Sequence, residues 1–506
     1  MFLITDSATI SAQTGTVARA YYISNKGNDS SDGTKKNPWK TIEKINNTIF
    51  QAGDSICFKA GQIFTGNIFL NEAIALNKKL ITITSFGKGK AMIDGGDSSA
   101  LVVNKSEFIK ISNLKFKGNG RKNGNIKDGV IVHGCSNILI ENIESSGFQK
   151  AGLLISSCNN VSVKKVYAFN NGFAGIHIIG DFTTRDCSDI HIADCIAENN
   201  PGDPTNFTNH SGNGILAGTC KNVLIEYCSA TNNGWDMPRT GNGPVGIWCY
   251  EADSVIIQHC ISYRNKTSPG GGDGGGFDLD GGVTNSTIQY CLSYENEGSG
   301  YGIFQYAGAS NWNNNTIRYC ISENDGCISP AHAGVFIWNS SQDTSQFKNC
   351  FFYNNTIFNS KCAAISYEPQ SDNAGFRFYN NIFVAKDSLV IGKETNSIYL
   401  GNNWYSLQNQ FNIEEYKNLK DWSKAKNKET INNKITGKNI NPSFNKSGNT
   451  NITLPRMLTK FSGYHLPVNS ALRNGGLNLE LLFNINTGKK TFQGITAPPG
   501  SVGAIL

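Results

Sequence analysis

Seven segments of this chain repeat one pattern, a glycine followed by four alternating strand positions: 152–156 (GLLIS), 175–179 (GIHII), 214–218 (GILAG), 246–250 (GIWCY), 276–280 (GFDLD), 302–306 (GIFQY) and 334–338 (GVFIW). The segment 364–368 (AISYE) extends the series. Two columns share its period. Cys195, Cys228, Cys260, Cys291, Cys320 and Cys350 recur at intervals of 33, 32, 31, 29 and 30 residues. Asn170, Asn199, Asn232, Asn265, Asn296, Asn324 and Asn354 recur at 29, 33, 33, 31, 28 and 30. A period near 30 with short strands and no helical stretch between them describes a coil whose turns stack about 4.8 Å apart. Like residues then lie above one another. Stacked Asn amides satisfy each other's donors and acceptors, and stacked Cys fill the core as small apolar side chains. Free, buried thiols are expected over disulfides, although neighbours in such a column lie close enough for some pairs to bridge.

The 63 Asn and 54 Gly agree with many tight turns. With 39% hydrophobic and 17% charged residues, the chain is neither a collagen, a coiled coil nor a disordered polymer. No apolar stretch is long enough for a membrane-spanning helix. The net charge of +6, spread along the chain, does not mark a nucleic-acid binder.

The repeat, with the opening 21–29 (YYISNKGND), 37–42 (NPWKTI) and 53–61 (GDSICFKAG), resembles the right-handed parallel β-helix proteins of the pectin-lyase-like superfamily over residues 20–406. The resemblance implies an all-β, single-stranded right-handed solenoid and a secreted or cell-surface protein acting on polysaccharide. It does not select a reaction, since that superfamily holds hydrolases, lyases, epimerases, esterases and adhesins. Residues 1–19 are expected to be a leader: 1–13 lack a basic start but end in Ser11-Ala12-Gln13, like a truncated export signal. A merely disordered leader is the alternative. Residues 20–99 are expected to form the N-terminal cap and first rungs, with a helix over 39–50 covering the open end. Residues 100–406 form the coil, and 407–506 a C-terminal cap folded back along it, with a helix over 413–427.

Strand alternation then sorts side chains. If Ile176, Ile215, Ile247, Phe277, Ile303 and Val335 point inward, one outward column holds Leu154, His177, Leu216, Trp248, Asp278, Phe304, Phe336 and Ser366. The next holds Ser156, Ile179, Gly218, Tyr250, Asp280, Tyr306, Trp338 and Glu368. Asp278 and Asp280 thus stand on one rung amid six aromatic residues. Exposed aromatic clusters mark binding sites, and aromatic faces stack on sugar rings; the alternative is satellite core under a long loop. Asp273 lies in the glycine-rich lead-in, and Glu297 follows in the next turn, aligned with Asn171 and Asn233 of other rungs.

Glycoside hydrolysis needs one carboxylic acid and one carboxylate, and clustered acids push their pKa values apart. The expected working pair is Asp280 and Glu297, with Asp278 and Asp273 in support. Trp248, Tyr250, Phe304, Tyr306, Phe336, Trp338 and Glu368 are expected to bind substrate, joined by Arg239 from the insertion 235–244 and by His177 at a distal subsite; a plain surface loop and a plain surface His are the alternatives. No metal site is evident and no cofactor is expected to be required. Ca²⁺ enters with the alternative of a lyase acting on a uronate polysaccharide, in which Arg264 or Lys266 would serve as base; the structural alternatives for Asp278 and Asp280 are a Ca²⁺ site or a plain solvated face. A non-catalytic carbohydrate-binding coil is the third reading.

Overall fold

A computed structural model describes residues 17–74, 78–341, 347–368, 375–394, 396–408, 411–488 and 490–505. The leader expected over 1–13 lies outside them. Three parallel sheets of 14, 12 and 13 strands run the length of the coil. The 12-stranded sheet extends from Ile68–Asn71 to Val390–Gly392 and carries the strands of the seven repeats. Its inward side chains, such as Ile176, Ile215, Ile247 and Phe277, are fully buried and stack in register from rung to rung.

The turns explain why the chain is so rich in Asn. They hold two adjacent Asn columns. Asn170, Asn199, Asn232, Asn324 and Asn354 occupy a left-handed position with φ of 52° to 56°, and Arg264 and Glu295 stand in that same column at 52° and 54°. Asn tolerates this region better than most residues. One residue further on runs a buried ladder. Asn171 donates to Asn200, Asn200 to Asn233, Asn233 to Asn265, Asn265 to Asn296, and Asn296 to Asp325. The single Asn column expected from spacing therefore slips between two real ones: Asn265 and Asn296 belong to the ladder and the rest to the left-handed column. The glycines at 152, 175, 246 and 276 let the ladder pass; a Cβ on Gly246 would lie 2.7 Å from the Asn265 amide nitrogen.

All six cysteines of the period-30 column are buried and free. One disulfide does form, Cys327–Cys362, with Cα atoms 5.3 Å apart. It corrects the expectation of thiols throughout. These two residues lie outside the column, in the loops leading into two successive rungs, where chain segments meet side by side.

The N-terminal helix is shorter than expected, Ile42–Asn46, because Thr41 caps it by accepting from the Lys44 amide and the chain leaves it at Asn47. Ile42, Ile45, Trp39 and Phe50 close the open rung. At the other end the helix is Leu419–Lys426, and its Trp422 packs on Trp404 at 5.5 Å. The rest of the extension runs back along the 13-stranded sheet. There Arg456 forks onto Asp194 with two 2.8 Å bonds, and the Tyr464 hydroxyl donates to buried Glu323 at 2.6 Å. Apolar residues of the extension cover Ile261, Leu292 and Ile321 on the outside of that sheet. The outer face of the 12-stranded sheet is left to the cleft.

Candidate active site

A cleft of about 570 Å³ lies on that outer face. Asp273, Asp278, Asp280, Trp248, Tyr250, Phe304, Tyr306, Phe336, Trp338, Glu368 and Arg239 all line it. The register differs from the expected one beyond the acidic strand Gly275–Leu279. Phe277 pairs with Tyr301, and Asp278 with Gly302. The first outward row is therefore His177, Leu216, Trp248, Asp278, Gly302, Phe336 and Ser366. Phe304 moves to the second row, beside Trp338, and Tyr306 lies beyond both. The repeat glycine of 302–306 misleads here, because inward Tyr301 takes the place that Phe277 holds one rung earlier. Gly302 has its own use. A Cβ there would stand 3.0 Å from Asp278 Oδ1 and 2.9 Å from the Phe304 ring.

The aromatic residues are less open than strand alternation suggested. Trp248, Phe304 and Phe336 are only 3%, 7% and 6% exposed. They form a packed floor: Phe304 meets Phe336 edge-on at 5.3 Å and Trp338 at 6.3 Å. Trp248 is fixed by its Nε1 donating to Asn213 Oδ1 at 3.1 Å. Tyr250, Tyr306 and Trp338 remain half-buried. His177 does not reach the cleft lining. It lies against Phe173 at 5.0 Å, with buried Nε2 unpartnered among the described residues. Burial lowers its pKa to about 4, as expected for a cation that would lose its hydration.

Glu297 is the main departure. It stands one position past the Asn ladder, not in it, and accepts from the Thr267 amide at 2.8 Å within the turn. It is not part of the cleft, so the expected Asp280–Glu297 pair is not assembled. The carboxylates that do meet are Asp273, Asp278 and Asp280. Asp278 is 2% exposed, and its Oδ1 has no hydrogen-bond partner among the described residues. Burial first, then the charges of Asp280 and Asp273, push its pKa well above the usual range. Asp280 accepts from the Gly281 amide at 2.7 Å. Its pKa rises to about 7, through burial above all, with the charges of Asp273 and Glu251 adding to it against the Gly281 bond. Asp273, held at φ +55°, accepts from the Gly243 amide at 2.7 Å and so ties its loop to the insertion 235–244. Its pKa rises to about 6 by burial, opposed by that bond and by Arg239.

Three contributors escaped the sequence reading. His210, from the insertion 201–212, lies edge-on to Trp248 at 4.8 Å and is bonded to the Asn213 amide at 3.0 Å. His332, from the segment before the strand Val335–Asn339, lies on Phe336 at 4.8 Å with Nδ1 buried and unpartnered among the described residues. Glu251, buried behind the cleft, accepts from Ser310 N at 2.9 Å, from the Tyr306 hydroxyl at 3.3 Å and from Arg185 at 3.3 Å. The available signal for both histidines was rung length: extra residues enter just before a strand of this sheet, as they do at Arg239. Arg264 pairs with Glu295 at 2.8 Å in the left-handed column, and neither it nor Lys266 lines the cleft. Among the described residues, no three His, Cys, Asp or Glu side chains are spaced to hold a metal ion.

No curated protein matches the chain. Among solved structures it is similar to a GH136 lacto-N-biosidase from Eubacterium ramulus, at 19% identity and a TM-score of 0.47, over 69% of this chain and 67% of that one. It is also similar to the pectate lyase Pel9A (15% identity, TM-score 0.44, 96% and 97% covered). The mannuronan C-5 epimerase AlgE6 A-module of Azotobacter vinelandii is similar at 15% identity and TM-score 0.47, with 74% and 92% covered. The family model described as right-handed beta helix region matches residues 187–383, the stretch from the first long insertion to beyond the acidic rung. The coil of parallel strands is accordingly a right-handed parallel β-helix.

Proposed function

We propose that this protein is a secreted glycoside hydrolase acting on a polysaccharide or its oligomers. The observation that carries the reading is Asp278: a buried carboxyl whose Oδ1 has no partner among the described residues, in a cleft that Asp273, Asp280 and Glu368 also line. A carboxyl so placed stays protonated and can give its proton to a leaving oxygen. Asp280, with the lower pKa of the two, is ionised above about pH 7 and is the carboxylate that activates water or attacks the sugar. Asp273 raises both by its charge. Asp278 thereby takes the part expected of Glu297. Trp338, Tyr250 and Tyr306 offer partly exposed ring faces for the sugars above the Trp248–Phe304–Phe336 floor. Export accords with the Cys327–Cys362 disulfide, since such bonds persist in oxidising compartments.

The test is a product analysis on a panel of plant and algal polysaccharides, with and without EDTA. New reducing ends, no ultraviolet absorbance of an unsaturated uronate and indifference to EDTA are expected. Absorbance that EDTA abolishes would replace the hydrolase with a Ca²⁺-dependent lyase. Binding without product would leave a carbohydrate-binding coil.

A further inference from the structure

The charged groups of the cleft are mostly carboxyls, which disfavour an anionic ligand. Asp273, Asp278, Asp280 and Glu368 supply carboxyls, while Arg239 is the one Lys or Arg among the described residues of the lining. Arg239 donates one N–H to the Asn242 carbonyl at 3.1 Å, and its charge acts on Asp273. The remaining polar side chains are amides, hydroxyls and imidazoles. Burial keeps His210 and His332 neutral, so each ring has one donor and one acceptor nitrogen. His332 Nδ1 and Asp278 Oδ1 are both buried and without a partner among the described residues, and a buried polar atom without a partner is costly unless a ligand or water supplies one.

We infer that the cleft takes an uncharged saccharide, gripped through its hydroxyl groups and ring faces, and turns away uronate- or sulfate-bearing chains. This rests on reading the cleft as a glycosidase site. A hydroxyl both donates and accepts, so it completes a neutral imidazole and a protonated carboxyl alike. A uronate carboxylate instead faces the like charge of the cleft's carboxylates, and one guanidinium cannot neutralise a substrate charged at every sugar. A cleft of this volume has the size of sites for short oligosaccharides and other small ligands.

The experiment measures binding and product together on the full chain. Cello-, xylo- and galacto-oligosaccharides are compared with oligogalacturonate and oligoalginate by titration calorimetry, and reducing ends are recorded for each. At least one neutral series should bind at least about tenfold more tightly than either acidic one, as like-charge juxtaposition predicts. Glu368→Lys should narrow that gap by strengthening uronate binding, and His332→Ala should weaken the neutral ligand several-fold. The thermal midpoint of each variant guards against misfolding. Equal or tighter binding of the acidic series by the wild-type chain overturns the substrate class, even where reducing ends still appear and the hydrolase reading stands. Tight neutral binding without product leaves the substrate class standing and removes the hydrolase. Binding of neither series overturns the assignment of the cleft.

Discussion

Asp325 and Asp278 are both buried aspartates with raised pKa, and they differ in what surrounds them. Asp325 ends the Asn ladder inside a turn. Its Oδ1 accepts from the Asn296 amide at 2.9 Å and from the Asn296 side chain at 2.8 Å, and its Oδ2 accepts from Ser322 at 2.7 Å. Glu429 closes a second ladder in the same way, bonded to Asn402 and Trp404. Asp278, two rows of strands away on an outer face, has an oxygen with no such partner. The difference teaches how to tell a structural acid from a functional one in a repetitive coil. Burial raises both. Satisfied oxygens mark the acid that holds the fold, and an unsatisfied oxygen facing a cleft marks the one kept for a ligand.

The comparison breaks most sharply at Asp278. Asp278→Asn should lower turnover by about 10²- to 10⁴-fold, the range for removing a general acid, without lowering the thermal midpoint, since no protein hydrogen bond to Oδ1 is lost. Steady-state kinetics and thermal unfolding decide it. Wild-type turnover in the variant would return Asp278 to the structural class. Asp325→Ala should do the reverse. It strands two Asn296 donors and a Ser322 hydroxyl, each costing about 1–3 kcal/mol when buried and unpaired. Denaturant unfolding should show the loss, while turnover of the folded fraction stays near wild type. A third change is smaller. Gly302→Ala places a methyl against Asp278 Oδ1 and the Phe304 ring, and should cost about tenfold in turnover by displacing the acid, as a slight misplacement of a reacting group does. Unchanged turnover would mean that Gly302 is small only to suit the coil.

How much of this was legible in the sequence follows from which signals are periodic. The coil, the Cys column and the outward placement of Trp248, Tyr250, Asp278 and Asp280 repeat every rung, so spacing alone found them. Errors entered where periodicity is broken or doubled. Two Asn columns one residue apart were merged into one, and this carried Glu297 into a ladder position it does not hold. The register slip at Tyr301 moves Phe304 by one row, because Gly276 opens its repeat and Gly302, its apparent counterpart, does not. Neither the Cys327–Cys362 bond nor the histidines at 210 and 332 belong to any column. They come from insertions whose course depends on packing between loops, which strand alternation does not describe. Burial of the aromatic floor was hidden for the same reason, since the histidines that cover Trp248 and Phe336 arrive on those loops.

The gentlest probe of the contrast is pH. Burial raises the pKa of Asp280 in the folded chain to about 7, from 3.8 for an ordinary aspartate. In the folded chain it therefore holds its proton more tightly than in the unfolded one. Its contribution to stability is fully present below about pH 4 and is lost as pH rises through about 7. Asp280→Asn removes that dependence, so the variant should unfold at a higher temperature than wild type at pH 8, with the advantage less than half as large at pH 5 and gone only below about pH 4. In a chain this long the shift should amount to no more than a few degrees, because the unfolding entropy scales with size. Asp325 and Glu429, also raised to about 7, tilt the stability of wild type and variant in the same sense, so only the difference between the two curves reports on Asp280. A difference that is flat from pH 5 to 8 would mean that the carboxyl titrates normally in the folded chain. The acid at 280 would then be a solvated surface group, and the contrast with the ladder acids would rest on Asp278 alone.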